Sequence, residues 1–421
     1  MSKQPVHRWA VLIAAMAVML CTGTIYTFSV LSGPLSEVHH WNLPTLVLAY
    51  SVNSAIAPIP QILGGMWVDR GGAKWLVLIG GAGYGIGWIL SGMSNSLVMF
   101  FISYGVITGL AQGFAYAGCL QNTIRLFPDR SGLASGLVTC ANGAATVISA
   151  PIAAALVSSH GPGTAMVVLG SCFAVIGLGA FVFAQPAPVG YTPPGWTPPQ
   201  RAGSPADGLN WRRMISTRAF WTIFFMFVCG AFSGLMIAGN ASQIGQGMFA
   251  LNAATAALFV SLYSASNATG RLILGLVSDR LGYAKSTIVI FVFVALSLTE
   301  LILLKGQVVG FAIGIAGLGL CFGGVMAVFP PLVMSNFGAK HQGVNYGITF
   351  AAYSTSAIIS PRIAASIGGS HDGDYSIAFL VAIGAAIVGI FLATTLVKST
   401  PPIQRDAERL ASETKNQGAV K

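Results

Sequence analysis

Arg271 and Arg362 lie inside hydrophobic segments long enough to cross a bilayer, and no Asp or Glu sits near the middle of any such segment to neutralise them. A guanidinium near the bilayer centre costs from about 3 to well over 10 kcal/mol by different estimates, and normally faces a polar cavity. Its planar fork matches a carboxylate through two parallel hydrogen bonds, so unbalanced arginines in a membrane interior point to an anion pathway. Ser264 and Asn267 precede Arg271 by seven and four positions, which puts all three on one helix face. Arg271 therefore reads as an anion clamp, with a structural arginine bonded to helix carbonyls as the competing reading. Arg362 has two open roles, guarding an outer mouth beside a kink at Pro361 or snorkelling to the outer surface.

These side chains need a scaffold, and composition names its class. With 54% hydrophobic and 8% charged residues over 421 positions, the chain is not a soluble globular protein. Apolar runs of roughly 20 residues, each enough to span about 30 Å of hydrocarbon, follow one another between short polar turns. The expected spans are 9–31, 44–67, 75–93, 97–121, 131–157, 164–184, 219–240, 252–276, 286–304, 308–332, 344–367 and 376–397. The fold class is an all-α membrane protein of twelve transmembrane helices. The first apolar segment runs past any small-residue cleavage site into Gly23, Tyr26 and Phe28, so it reads as the first helix rather than a signal peptide.

The formal charge of +10 is distributed unevenly. Twelve crossings with both termini cytoplasmic put 18 of the 21 Lys and Arg on one side, leaving Lys305 in an outer loop and Arg271 and Arg362 within spans. That is the asymmetry of the positive-inside rule in an inner membrane, and it leaves no separate argument for nucleic acid. All six cysteines fall in apolar spans and all six histidines in loops or tails. Neither set has metal-ligand spacing, so no metal or other cofactor is expected, and no nucleophile, base or phosphate loop suggests an enzyme.

Seven prolines between Gln185 and Thr217 break the hydrophobic rhythm. Such a stretch favours extended polyproline conformations, and reads as a cytoplasmic linker at 185–217 between bundles at 1–184 and 218–398, with a tail at 399–421. A repeat supports the division. GMWVDRGGAK (Gly65 to Lys74) follows the second span and GLVSDRLGYAK (Gly275 to Lys285) the eighth, with Asp69 and Asp279 separated by 210 positions. FPDRSGLASG (Phe127 to Gly136) and FGAKHQGVNYG (Phe337 to Gly347) echo each other at the same offset or one more. Two marks at one offset imply two pseudo-symmetric six-helix bundles. In each loop the Asp carboxylate can accept from N–H groups at a neighbouring helix start while Arg70 or Arg280 faces headgroups, a latch made in one conformation and broken in another. A solvated turn with a charge pair is the plainer reading.

The loop motif G-x-x-x-D-R-x-G resembles that of the major facilitator superfamily, with Ala73 and Tyr283 departing from its last positions. Within it the chain is similar to the oxalate–formate antiporter and monocarboxylate transporter group. GTIYTFSV (Gly23 to Val30), the linker YTPPGWTPP, NATGRLILGLVSDR, CFGGVMAVFPPLV (Cys321 to Val333) and NYG (Asn345 to Gly347) carry that similarity. The resemblance implies alternating access, with Arg271 binding a substrate carboxylate and the lipid bilayer as surroundings of a monomer. The group's antiporters carry a lysine on the eleventh helix where counting from N-Y-G places Tyr353, which favours a monocarboxylate such as pyruvate, lactate or formate over the dianion oxalate. Proton-coupled relatives carry an acidic residue four positions before the arginine, where this chain has Asn267.

Exchange of one carboxylate for another is therefore the expected activity. A proton-coupled monocarboxylate symporter and a non-transporting carboxylate sensor are the alternatives, while drug or sugar carriers would bring more charged side chains into the cavity. Further candidates for the path are Tyr26, Gln112 and Tyr116 one turn apart, Asn142, Asn240, Phe322, Phe329 and Tyr353, any of which can also be a packing residue. Glu300, near the outer end of the ninth span, reads as interfacial.

Overall fold

A computed structural model describes residues 7–188, 190–196 and 208–404, and every regular element among them is helical. Helices are what a bilayer selects, because each satisfies its own backbone donors and acceptors. The chain forms two compact units, Met1–Pro128 with Leu137–Tyr191, and Asp129–Gly136 with Thr192–Lys421.

In the first unit the first, second and fourth crossings are interrupted. The first runs as Arg8–Thr22, tightens to a 3-10 segment at Gly23–Thr27 and resumes as Phe28–His39. Hydroxyls support the interruption: Thr24 Oγ1 donates to the Cys21 carbonyl at 2.7 Å and pairs with the Tyr84 hydroxyl at 3.2 Å, and Thr27 meets Ser149 at 2.6 Å. The second is cut at Ala57 between Leu43–Ile56 and Pro58–Asp69, where Pro58 and Pro60 lack the N–H an α-helix needs. Ala73–Gly92 is the third. The fourth passes from Leu97–Phe100 through a π-turn at Phe101–Ile107, an α-segment at Thr108–Tyr116 and a second π-turn at Ala117–Gln121 to Asn122–Leu126. The fifth and sixth are two helices that meet without a loop within Ser131–Phe183, at a kink on Gly161 (φ 81°, ψ 165°) just before Pro162. Trp88, Tyr84, Tyr104 and Phe100 fill the core of this unit.

The second unit is more continuous. After a short helix at Trp211–Ile215 come the seventh to tenth crossings as single helices, Arg218–Phe249, Ala253–Leu281, Tyr283–Leu303 and Val308–Phe337. The eleventh is Gln342–Thr349 and Ala351–Ser370, and the twelfth Ser376–Lys398. Eight stretches of the described chain are apolar enough on composition alone to cross a membrane, and the second, eighth and eleventh crossings are not among them. The second is divided by its prolines, while the eighth and eleventh carry Arg271 and Arg362 among Ser, Thr and Asn side chains. Several helices extend beyond the expected spans; the seventh reaches Phe249 because its polar end, Asn240 to Gln246, keeps helical periodicity past the apolar run.

One further pair of marks lies at the 210-residue offset. Asn42 and Asn252 cap the second and eighth crossings, accepting from Thr45 N at 3.3 Å and Thr255 N at 2.8 Å. His40 and Ala250, two residues earlier, both close the preceding crossing in the left-handed region. The signal N-x-x-T was readable in both halves, since Asn at an N-cap accepts from the N–H three residues on.

Candidate functional site

Arg271 projects from the eighth crossing, ten residues before its last residue, Leu281. It is 7% exposed, and its Nε donates to Asn267 Oδ1 at 2.9 Å, the one-turn contact that their spacing allows. A hydrogen bond to a charged group contributes about 1.5–3 kcal/mol, enough to hold the guanidinium's orientation. The two terminal nitrogens form the edge of the guanidinium whose geometry matches a carboxylate in parallel. Asn267 is itself buried, and its Nδ2 has no partner among the described residues. Glycines set the backbone on which this pair stands. A Cβ at Gly323 of the tenth crossing would collide with the Asn267 carbonyl and come 2.8 Å from Arg271 N, and one at Gly136 would lie 2.5 Å from the Arg271 carbonyl. No larger residue fits at either contact without moving the eighth helix.

Beside Gly323 on the tenth crossing, Phe322 stacks on Tyr353 at 6.5 Å, and Tyr353 stacks on Phe350 at 4.8 Å. Tyr353 is half-buried. Phe329 is completely buried, stacked 4.3 Å from Phe227, so in this conformation it packs the second unit's core. Asn240 spends its amide on the Met236 and Pro361 carbonyls, joining the seventh and eleventh crossings. Arg362, next along, is exposed, as are Arg70 and Arg280.

In the first unit Gln112 is half-buried and Tyr116 is 8% exposed, one turn apart on the α-segment between the two π-turns. Asn142 donates to the Met19 carbonyl at 3.3 Å. The side chain of Tyr26 lies outside the described residues; its backbone belongs to the 3-10 segment. Three residues were overlooked in the sequence. Gln121 is 1% exposed, and neither atom of its amide has a partner among the described residues. A buried donor or acceptor left unmade costs about 1–3 kcal/mol, so such an amide needs an explanation. Gln61, 3% exposed, stands at Arg271's position when the 210-residue offset is applied, a signal the sequence contained. Arg125 forms an ion pair with Asp69, and both side chains are largely buried.

The two D-R loops differ in their contacts. Asp279 accepts from the backbone N–H of Gly132 at 2.7 Å and Leu133 at 2.8 Å, at the start of the fifth crossing, and from the Tyr283 hydroxyl at 3.1 Å. A carboxylate there satisfies donors that the helix leaves open and meets the positive end of its dipole. Asp69 meets Arg125, whose other terminal nitrogen reaches the Val68 carbonyl at 3.3 Å. Buried asparagines tie both ends of the segment between the units. Asn122 donates to the Gln185 carbonyl and accepts from Ala187 N, and Asn345 donates to the Leu209 carbonyl.

The family model described as Major Facilitator Superfamily matches residues 11–361. The oxalate:formate antiporter of Oxalobacter formigenes is 27% identical over 418 residues, covering 98% of this chain and 96% of its own. The MFS-type transporter YhjX of Escherichia coli strain K12 is 27% identical over 83% of this chain and 86% of its own length. Human monocarboxylate transporter 11 is 25% identical over 73% of this chain and 58% of its own. Among solved structures, the human organic anion transporter MFSD10 superposes with a TM-score of 0.71 at 14% identity, covering 93% of this chain and all of that one, a likeness of fold.

Proposed function

The chain belongs to the Major Facilitator Superfamily, and from that premise we propose that it carries small carboxylates across the membrane by exchange and alternating access. Monocarboxylates such as pyruvate, lactate and formate are the preferred cargo, with oxalate a weaker one. One observation carries this reading: a buried arginine on a membrane-crossing helix whose Nε is held by a neutral side chain, Asn267. A neutral partner at Nε orients the guanidinium without cancelling its charge. The oxalate:formate antiporter and monocarboxylate transporter among its relatives supply the substrate class.

Arg271 is the clamp in this reading. Asn267 positions it, and Tyr26, Gln112, Tyr116, Tyr353 and Phe329 belong to the path in one conformation or another. Asp69, Arg70, Asp279 and Arg280 form the latches on the cytoplasmic side. Both termini and the linker at 185–217 face the cytoplasm, and Arg362 lies at the outer end, working as a monomer's outer fixed charge. Asn267 does not titrate, so exchange needs no proton at that position, and Asn267→Asp makes it dependent on pH.

The deciding experiment uses proteoliposomes preloaded with pyruvate, lactate, formate or oxalate and follows uptake of each labelled acid, with and without Arg271→Gln. Uptake that requires an internal anion and falls at least about 100-fold in the variant is expected, since a charge-assisted bidentate contact contributes roughly 3 kcal/mol. Uptake unchanged by the substitution removes Arg271 as the clamp. Binding of an acid without counterflow makes the protein a sensor.

A further inference from the structure

Gln121 belongs to a line of side chains that a regular helix would not align. In the α-segment Thr108–Tyr116, Gln112 and Tyr116 are four apart and share a face. Five residues separate Tyr116 from Gln121, which in an α-helix is well off that face. The π-turn at Ala117–Gln121 closes i to i+5, and so returns Gln121 beneath Tyr116. Arg125 follows four residues later, held by Asp69. The fourth crossing thus carries Gln112, Tyr116, Gln121 and Arg125 on one line, running toward the end that the Lys and Arg distribution assigns to the cytoplasm.

Gln121 stands apart from the other buried amides. Asn53, Asn142, Asn240, Asn267, Asn336, Asn345 and Gln342 each use at least one amide atom in a hydrogen bond. Among the described residues Gln121 is the amide with both atoms buried and both unpartnered. Its neighbour Asn122, turned to another face, spends both atoms on the linker at Gln185 and Ala187. Backbone support therefore does not account for Gln121, and the turn that aims it adds a residue to the helix.

We infer that Gln121 is a further substrate-binding residue, contacting the transported carboxylate on the inner leg of its path. This rests on the carboxylate-exchange reading. Its Nε2 is a donor for a carboxylate oxygen, and the Oε1 is an acceptor for a hydroxyl where the acid carries one. A neutral amide passes an anion on, where a second arginine would retain it.

The test measures apparent KM separately for internal and external acid in proteoliposomes of determined orientation, using the full-length protein. Gln121→Met keeps the side-chain length and removes the amide. It is expected to raise the internal KM at least fivefold and leave the external KM unchanged, with Gln121→Asn falling between it and the native protein. Gln121→Leu repeats the measurement if Gln121→Met fails to fold. An unchanged internal KM, or an equal change on both sides, overturns the inference, because a merely structural amide has no side preference. If the native protein exchanges acids and Arg271→Gln stops it while Gln121→Met is silent, only this inference falls. If the native protein exchanges no carboxylate, both readings fall.

Discussion

The first crossing narrows to a 3-10 segment at Gly23–Thr27, while its repeat counterpart, the seventh, runs unbroken from Arg218 to Phe249. The second is cut at Ala57 and the fourth holds two π-turns, while the eighth and tenth are continuous. The chemistry divides along the same lines. The guanidinium that needs fixed orientation is mounted on an uninterrupted helix, and the neutral polar groups, Gln112, Tyr116 and Gln121, lie on an interrupted one. A charge in low dielectric is costly to move without its partners, and irregular turns are where a helix can re-aim its side chains. The repeat duplicates the frame, through the caps at Asn42 and Asn252 and the prolines at 151 and 361, and leaves rigidity and adaptability to different halves.

The largest test of that contrast lies in the D-R loops. Asp69→Asn removes the carboxylate that pairs with the largely buried Arg125 and should cost about 3 kcal/mol. Asp279→Asn keeps one acceptor for the two N–H donors and should cost about 1–2 kcal/mol. Thermal unfolding of both variants in one detergent measures the difference, and equal losses would mean the loops are equivalent after all. Glycines at matching positions come next. The Cβ of Gly323→Ala meets the backbone of Asn267, whereas that of Gly113→Ala meets the ring of Pro60 beside the break at Ala57. Overpacking of about 2 kcal/mol is expected at Gly323, and less at Gly113 because the cut helix can give. Unfolding midpoints in the order Gly113→Ala below Gly323→Ala would reverse the assignment of rigidity.

The smallest effect is outside the membrane in the second unit, where the Lys305 ammonium at 2.7 Å, with Ser376, holds the Asp374 carboxyl down at about 2. A depressed carboxyl stabilises the fold above its ordinary value of 3.8, and that stabilisation is lost as pH falls toward about 2. Both side chains are more than a third exposed, so after screening the contribution is well under about 1 kcal/mol. The gap in unfolding midpoint between native protein and Asp374→Asn should be small at pH 6, shrink through pH 4 to 2, and narrow with added salt. A gap that widened on acidification would remove the pair as its source.

Apolar run lengths, the D-R repeat and the i, i+4 spacing of Asn267 and Arg271 were legible in the sequence, because each is a local regularity with one physical meaning. The caps at the same offset were equally readable in N-x-x-T and were passed over. The π-turns were not readable. Nothing in AGCLQ distinguishes a π-turn from an α-turn, and Gln121 therefore went unnoticed beside Tyr116. Arg125 as the partner of Asp69 was hidden for another reason, since 56 residues separate them and only tertiary packing brings them together. Phe329 illustrates the converse: its motif resembles a family's binding helix, while its complete burial against Phe227 is a property of packing.

The join between the fifth and sixth crossings has a consequence for how the chain is made. Two helices that meet within Ser131–Phe183 at one non-helical residue, Gly161, have no loop whose slack could absorb an error. The two crossings must enter the bilayer as one hairpin, and their depths are set together. An insertion on one side of Gly161 moves the other side with it, by about 1.5 Å for each residue. The positions of Asn142 and of the helix start that receives Asp279 are thereby settled during synthesis, when the turn at Gly161 and Pro162 reaches the far surface.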